Sequence, residues 1–224
     1  MKKISVAIDG PAGAGKSSIS KTVAKTLGMV YIDTGAMYRA SALYAIRNSI
    51  PMEEEALKKV LDNIVIGIKY SEEGQLIYLN GEDVSAKIRE PEVSMGASAI
   101  ATVPAVRLKL VELQRELAKK DCVIMDGRDI GTYVLPDAEL KIYLTASVEE
   151  RARRRCLEEA EKGIKSDFNQ VMADIEKRDI NDMNREFAPL KQAEDAVLVD
   201  STKMSFDEVV DTITQLIKEK MGEH

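Results

Sequence analysis

The sequence predicts an α/β fold in which a five-stranded parallel sheet is flanked by helices. Three observations carry this. Short apolar runs alternate with segments of helical periodicity along the 224 residues, as a buried parallel sheet requires. The first apolar run enters a glycine-rich loop that opens a helix. One central segment changes to a period of two, which marks a small antiparallel insertion in an otherwise α/β chain.

Taken in order, residues 4–8 read as the first strand and residues 15–28 as the first helix, with Ile19, Val23 and Leu27 on one face. Residues 30–32 form a short strand. Residues 36–47 are helical, with Met37, Ala40, Leu43 and Tyr44 at helical spacing. Pro51 interrupts the pattern, and residues 53–63 read as another helix. Ile64, Ile66, Ile68 and Tyr70 then alternate. A second β-like run at 76–79 leads into Asn80-Gly81, a strong hairpin signal. Residues 64–88 are therefore expected to be an inserted antiparallel sheet. Residues 91–119 return to helix, with Pro104 placed to start a second segment. Residues 122–125 are a buried-type strand ending at Asp126, and residues 140–144 are another. Ser147 to Glu150 reads as a capping box opening an arginine-rich helix, 147–162, that should end near Gly163. Asp167 and Gln170 cap the next helix in the same way. Residues 196–199 are the last strand. Ser205 and Glu208 cap a final helix with Val209, Ile213, Leu216 and Ile217 facing the core.

Composition narrows the function classes. No stretch of 18 apolar residues is present, so no transmembrane helix is expected. The chain also lacks the apolar segment and cleavage site of a signal peptide, so a cytoplasmic protein is expected. Cys122 and Cys156 are isolated and read as reduced thiols. The net charge of −6 disfavours a nucleic-acid partner. Seven of the twelve arginines fall between Arg128 and Arg185. A local arginine cluster on an acidic protein suggests a small anionic ligand. The one histidine is His224, so histidine general-base chemistry is not expected.

Gly10, Pro11, Ala12, Gly13, Ala14, Gly15, Lys16 and Ser17 follow the phosphate-loop pattern G-x-x-x-x-G-K-[ST], in the strand–loop–helix context it requires. The glycines let backbone N–H groups point inward, and the helix N-terminus adds partial positive charge. Lys16 can reach the β- and γ-phosphates of a nucleoside triphosphate, and the Ser17 hydroxyl can ligate Mg²⁺. Four further constellations surround this loop in the sequence. Asp33-Thr34-Gly35-Ala36-Met37-Tyr38-Arg39 follows the second strand, where ligands gather in parallel sheets; otherwise Asp33 or Thr34 caps a helix and Arg39 is solvated. Asp126-Gly127-Arg128-Asp129 ends an apolar strand in a carboxylate able to support Mg²⁺ directly or through water; the alternative is a β-turn with a surface ion pair. Arg151, Arg154 and Arg155 share one helical face, suiting a mobile lid that clamps triphosphate or an exposed helix paired with Glu150, Glu158 and Glu159. Phe168, Val171, Met172 and Ile175 form an apolar stripe that continues into Arg178, Asp182 and Arg185. Such a change along one face implies a polar cavity, or else an intrahelical ion-pair ladder.

So many basic groups exceed the need of one triphosphate, and a second phosphate-bearing substrate explains the surplus. A phosphate monoester, with a second pKa near about 6, can attack a γ-phosphoryl group without a general base. Residues 10–17, Asp33 to Arg39, Asp126 to Asp129 and Arg178 to Arg185 together resemble the bacterial cytidylate kinases, over essentially the whole chain and including the insertion near 64–88. The resemblance implies transfer of the ATP γ-phosphate to CMP or dCMP with Mg²⁺. It places a core in residues 1–34, 120–150 and 186–224, a monophosphate-binding domain in 35–119 and a lid in 151–185. By the same resemblance Arg39, Arg128 and Arg185 hold the acceptor phosphate, and Thr34 and Asp182 contact the sugar. Ser98, Arg107 and Asp129 read the base. Arg151, Arg154, Arg155 and Arg178 belong to or face the lid and stabilise the transferring charge beside Lys16. Ser18 joins the ATP-binding loop. Closure of the lid and the monophosphate-binding domain is expected to exclude water. A monomer without membrane or nucleic-acid partners is expected. A nucleotide switch would be expected to carry N-K-x-D for guanine, which is absent here. A kinase of a small metabolite such as shikimate would leave several arginines idle.

Overall fold

The computed structural model describes residues 3–71, 74–161 and 163–222. Lys162, the last residue of the expected arginine-rich helix, and His224 lie outside them. The chain divides into two compact units, Met1–Val30 with Asp121–His224, and Tyr31–Lys120.

The first unit holds the parallel sheet. β1 (Ser5–Asp9) pairs in parallel with β6 (Val123–Gly127) on one side and β7 (Leu140–Thr145) on the other, and β7 pairs in parallel with β8 (Val197–Asp200). With β2 (Val30–Asp33), entered through the Val30 N–H bonded to the Cys122 carbonyl, the order is β2-β6-β1-β7-β8. Val6, Ala7, Ile8, Val123, Ile124 and Met125 are fully buried, because a central parallel strand is covered on both faces. α1 (Lys16–Leu27) packs on β1 and β6 and against α8 (Phe206–Met221). α6 (Val148–Glu161) packs along α7 (Phe168–Asn184).

The second unit has its own core. α2 (Thr34–Arg47) packs most extensively on α4 (Pro91–Ile100), and α3 (Glu54–Lys58) on α5 (Pro104–Ala118). The insertion is a three-stranded antiparallel sheet of β3 (Ile66–Ser71), β4 (Gly74–Leu79) and β5 (Glu82–Asp83). Asn80 and Gly81, at φ 51° and 86°, form the turn that the sequence signals between β4 and β5. Ile77, Leu79, Val84 and Ile88 of this region join Met37, Leu43, Leu57, Ile100 and Val106 in one apolar cluster.

Two local expectations are corrected, and one further element appears that was not expected. The helix expected over 53–63 is α3 followed by a 3₁₀ turn, Leu61–Asn63. The Leu61 carbonyl accepts from Ile64 N–H and from the Lys109 ammonium, which tightens the chain there. The Ser147 capping box is half made: Glu150 N–H donates to Ser147 Oγ, but Ser147 N–H donates to Thr202 Oγ1 at 2.9 Å. The Glu150 carboxylate is drawn away to Arg153 and Arg154. Finally, a π-helical turn, Ile130–Val134, follows β6. It exists because the Asp9 carboxylate binds the N–H groups of Ile130 and Gly131, a partner far away in sequence.

At Ser205 the capping box is complete: Ser205 Oγ accepts from Glu208 N–H and Glu208 accepts from Ser205 N–H at 2.7 Å. Ser205→Ala is expected to lower unfolding free energy by about 1 kcal/mol. Urea denaturation monitored by circular dichroism checks it, and KM for any substrate should not change.

Candidate active site

In the first unit the loop between β1 and α1 takes positive φ at Gly10, Gly13 and Gly15. Gly10 is forced: a Cβ there would lie 1.9 Å from the Leu144 carbonyl oxygen of β7. Lys16 is buried, and its ammonium donates to the carbonyls of Gly10 at 2.8 Å and Pro11 at 2.7 Å. Burial pushes its pKa well below the ordinary lysine value, assisted by Arg128 and Arg178 and opposed by Asp126 and Asp9. Five charged groups from β1, α1, β6, the turn after β6 and α7 thus act on one point. Ser17 Oγ donates to Asp126 Oδ2 at 2.8 Å, bringing a hydroxyl and a buried carboxylate side by side. Ser18, the next residue of α1, is exposed.

The arginines beyond this loop are held by carboxylates. Arg128 Nε donates to Asp182 Oδ2 at 2.7 Å, so α7 is tied to the turn after β6. Arg185 Nη2 donates to Asp129 Oδ1 at 2.9 Å, both side chains being 7% exposed, and its Nε donates to the Ala188 carbonyl. Asp182 and Arg185 therefore bond across to the turn at Arg128 and Asp129, which a purely intrahelical ladder would not do. Arg178 acts on the same region as a neighbouring charge of Lys16.

Arg151, Arg154 and Arg155 stand in three different environments, and two of them make glutamate pairs of the kind expected of an exposed helix. Arg151 is buried and bonds Asp179 Oδ2 at 2.6 Å and the Ala12 carbonyl at 2.7 Å. Arg154 bonds Glu150 and both Ser201 oxygens. Arg155 is exposed and paired with Glu159 at 2.6 Å.

In the second unit Asp33 caps α2, accepting from Ala36 N–H at 2.9 Å, and its other oxygen binds Arg39 Nη2 at 2.8 Å. The cap expected of Asp33 is made, and its other oxygen holds Arg39, which the capping reading had left solvated. Gln75 of β4 accepts from the Asp33 N–H at 2.9 Å, so the inserted sheet supports the start of α2 directly. Thr34 is buried at the first turn of that helix, and Ser98 is half-buried on α4. Arg107 of α5 is 1% exposed, donates to the Ala101 carbonyl at 3.0 Å and lies over the Tyr38 ring.

Sequence reading missed Asp9 and Asp179. Asp9 Oδ1 and Oδ2 bind the N–H groups of Ile130 at 2.8 Å and Gly131 at 2.7 Å. Burial pushes its pKa up to about 6 despite those bonds, with the Asp129 charge adding to the rise. Asp179 lies four residues after Ile175, on the stripe that turns from apolar to charged, and that spacing was a usable signal.

Among the described residues no group of three or more His, Cys, Asp or Glu side chains could hold a metal ion. The Ser17–Asp126 pair nevertheless suits Mg²⁺. It is a hard oxygen donor set for a cation that takes most of its ligands from phosphate and water.

Residues 6–219 match the protein family described as Cytidylate kinase. A protein named Cytidylate kinase from Caldicellulosiruptor saccharolyticus is 56% identical over 99% of this chain and 99% of its own length. One of the same name from Geobacillus sp. (strain WCH70) is 51% identical over 98% of both. A crystal structure of an uncharacterized protein from Eubacterium ventriosum is similar in fold, with a TM-score of 0.53 and 14% identity over 97% of this chain and 99% of that one.

Asp9 makes a pH prediction. Its folded pKa of about 6 lies above the ordinary 3.8. The fold therefore favours its protonated form. The stability this supplies is fully present below about pH 4 and is lost as pH rises through about 6, on the order of 3 kcal/mol in all. Denaturant titrations from pH 4 to 7 should show that decline in the wild type, with its slope reduced in Asp9→Asn.

Proposed function

Because the chain belongs to the cytidylate kinase family, whose reaction is the transfer of phosphate between ATP and CMP or dCMP, we propose how its own residues divide that work. The observation that carries the assignment is the buried Lys16 ammonium, bonded to the Gly10 and Pro11 carbonyls, on the same loop as the Ser17–Asp126 pair. Gly10, Pro11, Ala12, Gly13, Ala14, Gly15, Lys16, Ser17 and Ser18 form the ATP loop. Its backbone N–H groups and the N-terminus of α1 receive the phosphates. Lys16 exchanges the Gly10 and Pro11 carbonyls for phosphate oxygens, a trade that favours the ammonium because a dianion replaces two neutral acceptors.

Ser17 and Asp126 would hold Mg²⁺, which when bound neutralises charge on the β- and γ-phosphates. Arg128 and Arg178 stabilise the charge on the phosphoryl group in flight, and Arg154 and Arg155 close over it from α6. On the acceptor side Arg39, Arg128 and Arg185 hold the CMP phosphate. Thr34 and Asp182 contact the sugar. The cytosine amino group donates to Asp129 or to Ser98, and its ring nitrogen and O2 accept from Arg107. The acceptor phosphate, largely dianionic at neutral pH, attacks in line without a general base. The chemistry therefore needs positioning and cations more than proton transfer. Residues 151–185 form the lid, 35–119 the monophosphate-binding part and the rest the core. A monomer acting in the cytoplasm on small nucleotides completes the proposal.

ADP release from Mg-ATP with CMP, dCMP, UMP, AMP, GMP and shikimate tests the reading. Turnover with CMP and dCMP should stand well above the rest. Equal turnover with CMP and UMP would remove the role given to Asp129, since uracil reverses the donor and acceptor that Asp129 is matched to. Arg128→Ala is expected to lower kcat by about 10²-fold or more, measured in the same assay at saturating substrates.

A further inference from the structure

The backbone of Ala12 in the phosphate loop is gripped through both its N–H and its carbonyl by two charged residues that its sequence pattern does not announce. Its N–H donates to Asp179 Oδ1 at 3.1 Å, and its carbonyl accepts from Arg151 Nη1 at 2.7 Å. The same two side chains bind each other at 2.6 Å, with 4% and 12% exposure. Arg151 Nε is anchored in turn by the Ala146 carbonyl at 2.9 Å, just before α6. The Arg151 Cβ lies 3.4 Å from where a Cβ on Gly13 would stand, so the loop rests directly on this turn of α6. A closed ring of donors and acceptors thus joins the loop to α6 and α7.

These contacts have a chemical consequence. The Ala12 N–H already serves a carboxylate, which leaves reception of phosphate to the N–H groups that follow it in the loop. Arg151 has spent its Nε and Nη1 donors on two carbonyls and a carboxylate, in contrast to Arg154 and Arg155, which stay partly or largely exposed. We propose that Asp179 and Arg151 are positioning residues for the ATP site. They set the conformation of the phosphate loop through Ala12, and they fasten the bases of α6 and α7 to it, without themselves contacting phosphate. The proposal rests on the family reading for the reaction but concerns ATP binding alone. It reassigns Arg151, which the lid resemblance had put among the charge-stabilising arginines. It also places any opening of the lid beyond Arg151, because the first turns of α6 are bound to the loop.

Asp179→Asn is the informative variant. An amide is the same shape but has one oxygen, so its NH₂ must face either the Ala12 N–H or the Arg151 guanidinium, both donors. KM for ATP is expected to rise about tenfold or more, with KM for CMP within about twofold of wild type. Binding of Mg-ATP alone, measured by calorimetry, should weaken in parallel, so the test does not depend on CMP being the acceptor. Should the wild type bind ATP but fail to use CMP, the family assignment fails while the ATP measurement still decides this proposal. The double variant Arg151→Met, Asp179→Leu removes both charges and keeps the site packed, which guards against loss of fold from a single buried charge. It should melt cooperatively yet keep the weakened ATP affinity. Unchanged ATP affinity in either folded variant, or an equal rise in both KM values, would overturn the proposal.

Discussion

A buried or half-buried guanidinium group needs a partner to hold, and the structure depends on the carboxylates it supplies to such groups. Arg128 rests on Asp182, Arg185 on Asp129 and Arg151 on Asp179 in the first unit, and Arg39 rests on Asp33 in the second. Each pair is at least partly buried, where an unpaired charge would be costly. Each also fixes a planar fork in a definite direction, which a solvated arginine does not have. The conformational entropy of fixing these side chains is met by folding.

The pairing explains why the elements are connected as they are. Asp179, Asp182 and Arg185 follow one another along the end of α7, so a single helix reaches the phosphate loop and the turn after β6. Asp9 does related work from the sheet. Placed at the end of β1, it shapes the π-helical turn that immediately follows Arg128 and Asp129. In the second unit Asp33 combines a helix cap with the hold on Arg39, and Gln75 from the inserted sheet steadies its backbone. A hairpin whose purpose is obscure in sequence thus has a concrete structural task in its own unit.

How legible each feature was follows from how local its cause is. The strands β1, β6 and β7, the helix α1, the turn at Asn80 and Gly81 and the cap at Ser205 arise from periodicity, glycine and short-range hydrogen bonds, all readable along the chain. The 3₁₀ turn within the helix expected over 53–63 was not, because its Leu61 carbonyl is held by Lys109, 48 positions away. Half of the Ser147 box went to Thr202 for the same reason. Residue types in the Asp33, Asp126 and Arg178 segments pointed to anion chemistry. Their partners did not follow from type, since an arginine four residues from an aspartate can pair within its helix or across to another element.

The sequence by itself determined the α/β class, the inserted antiparallel sheet, the loop conformation of residues 10–17 and the family, because these rest on local pattern. Tertiary structure alone decided that Asp9 and Asp179 matter, that Arg151 turns inward while Arg155 stays out, and that Asp182 and Arg185 bond away from their own helix. Ion pairs and buried carboxylates are chosen by which elements the core brings together. That choice is made by packing between residues far apart in the chain, from 28 positions for Arg151 and Asp179 to 167 for Ala12 and Asp179.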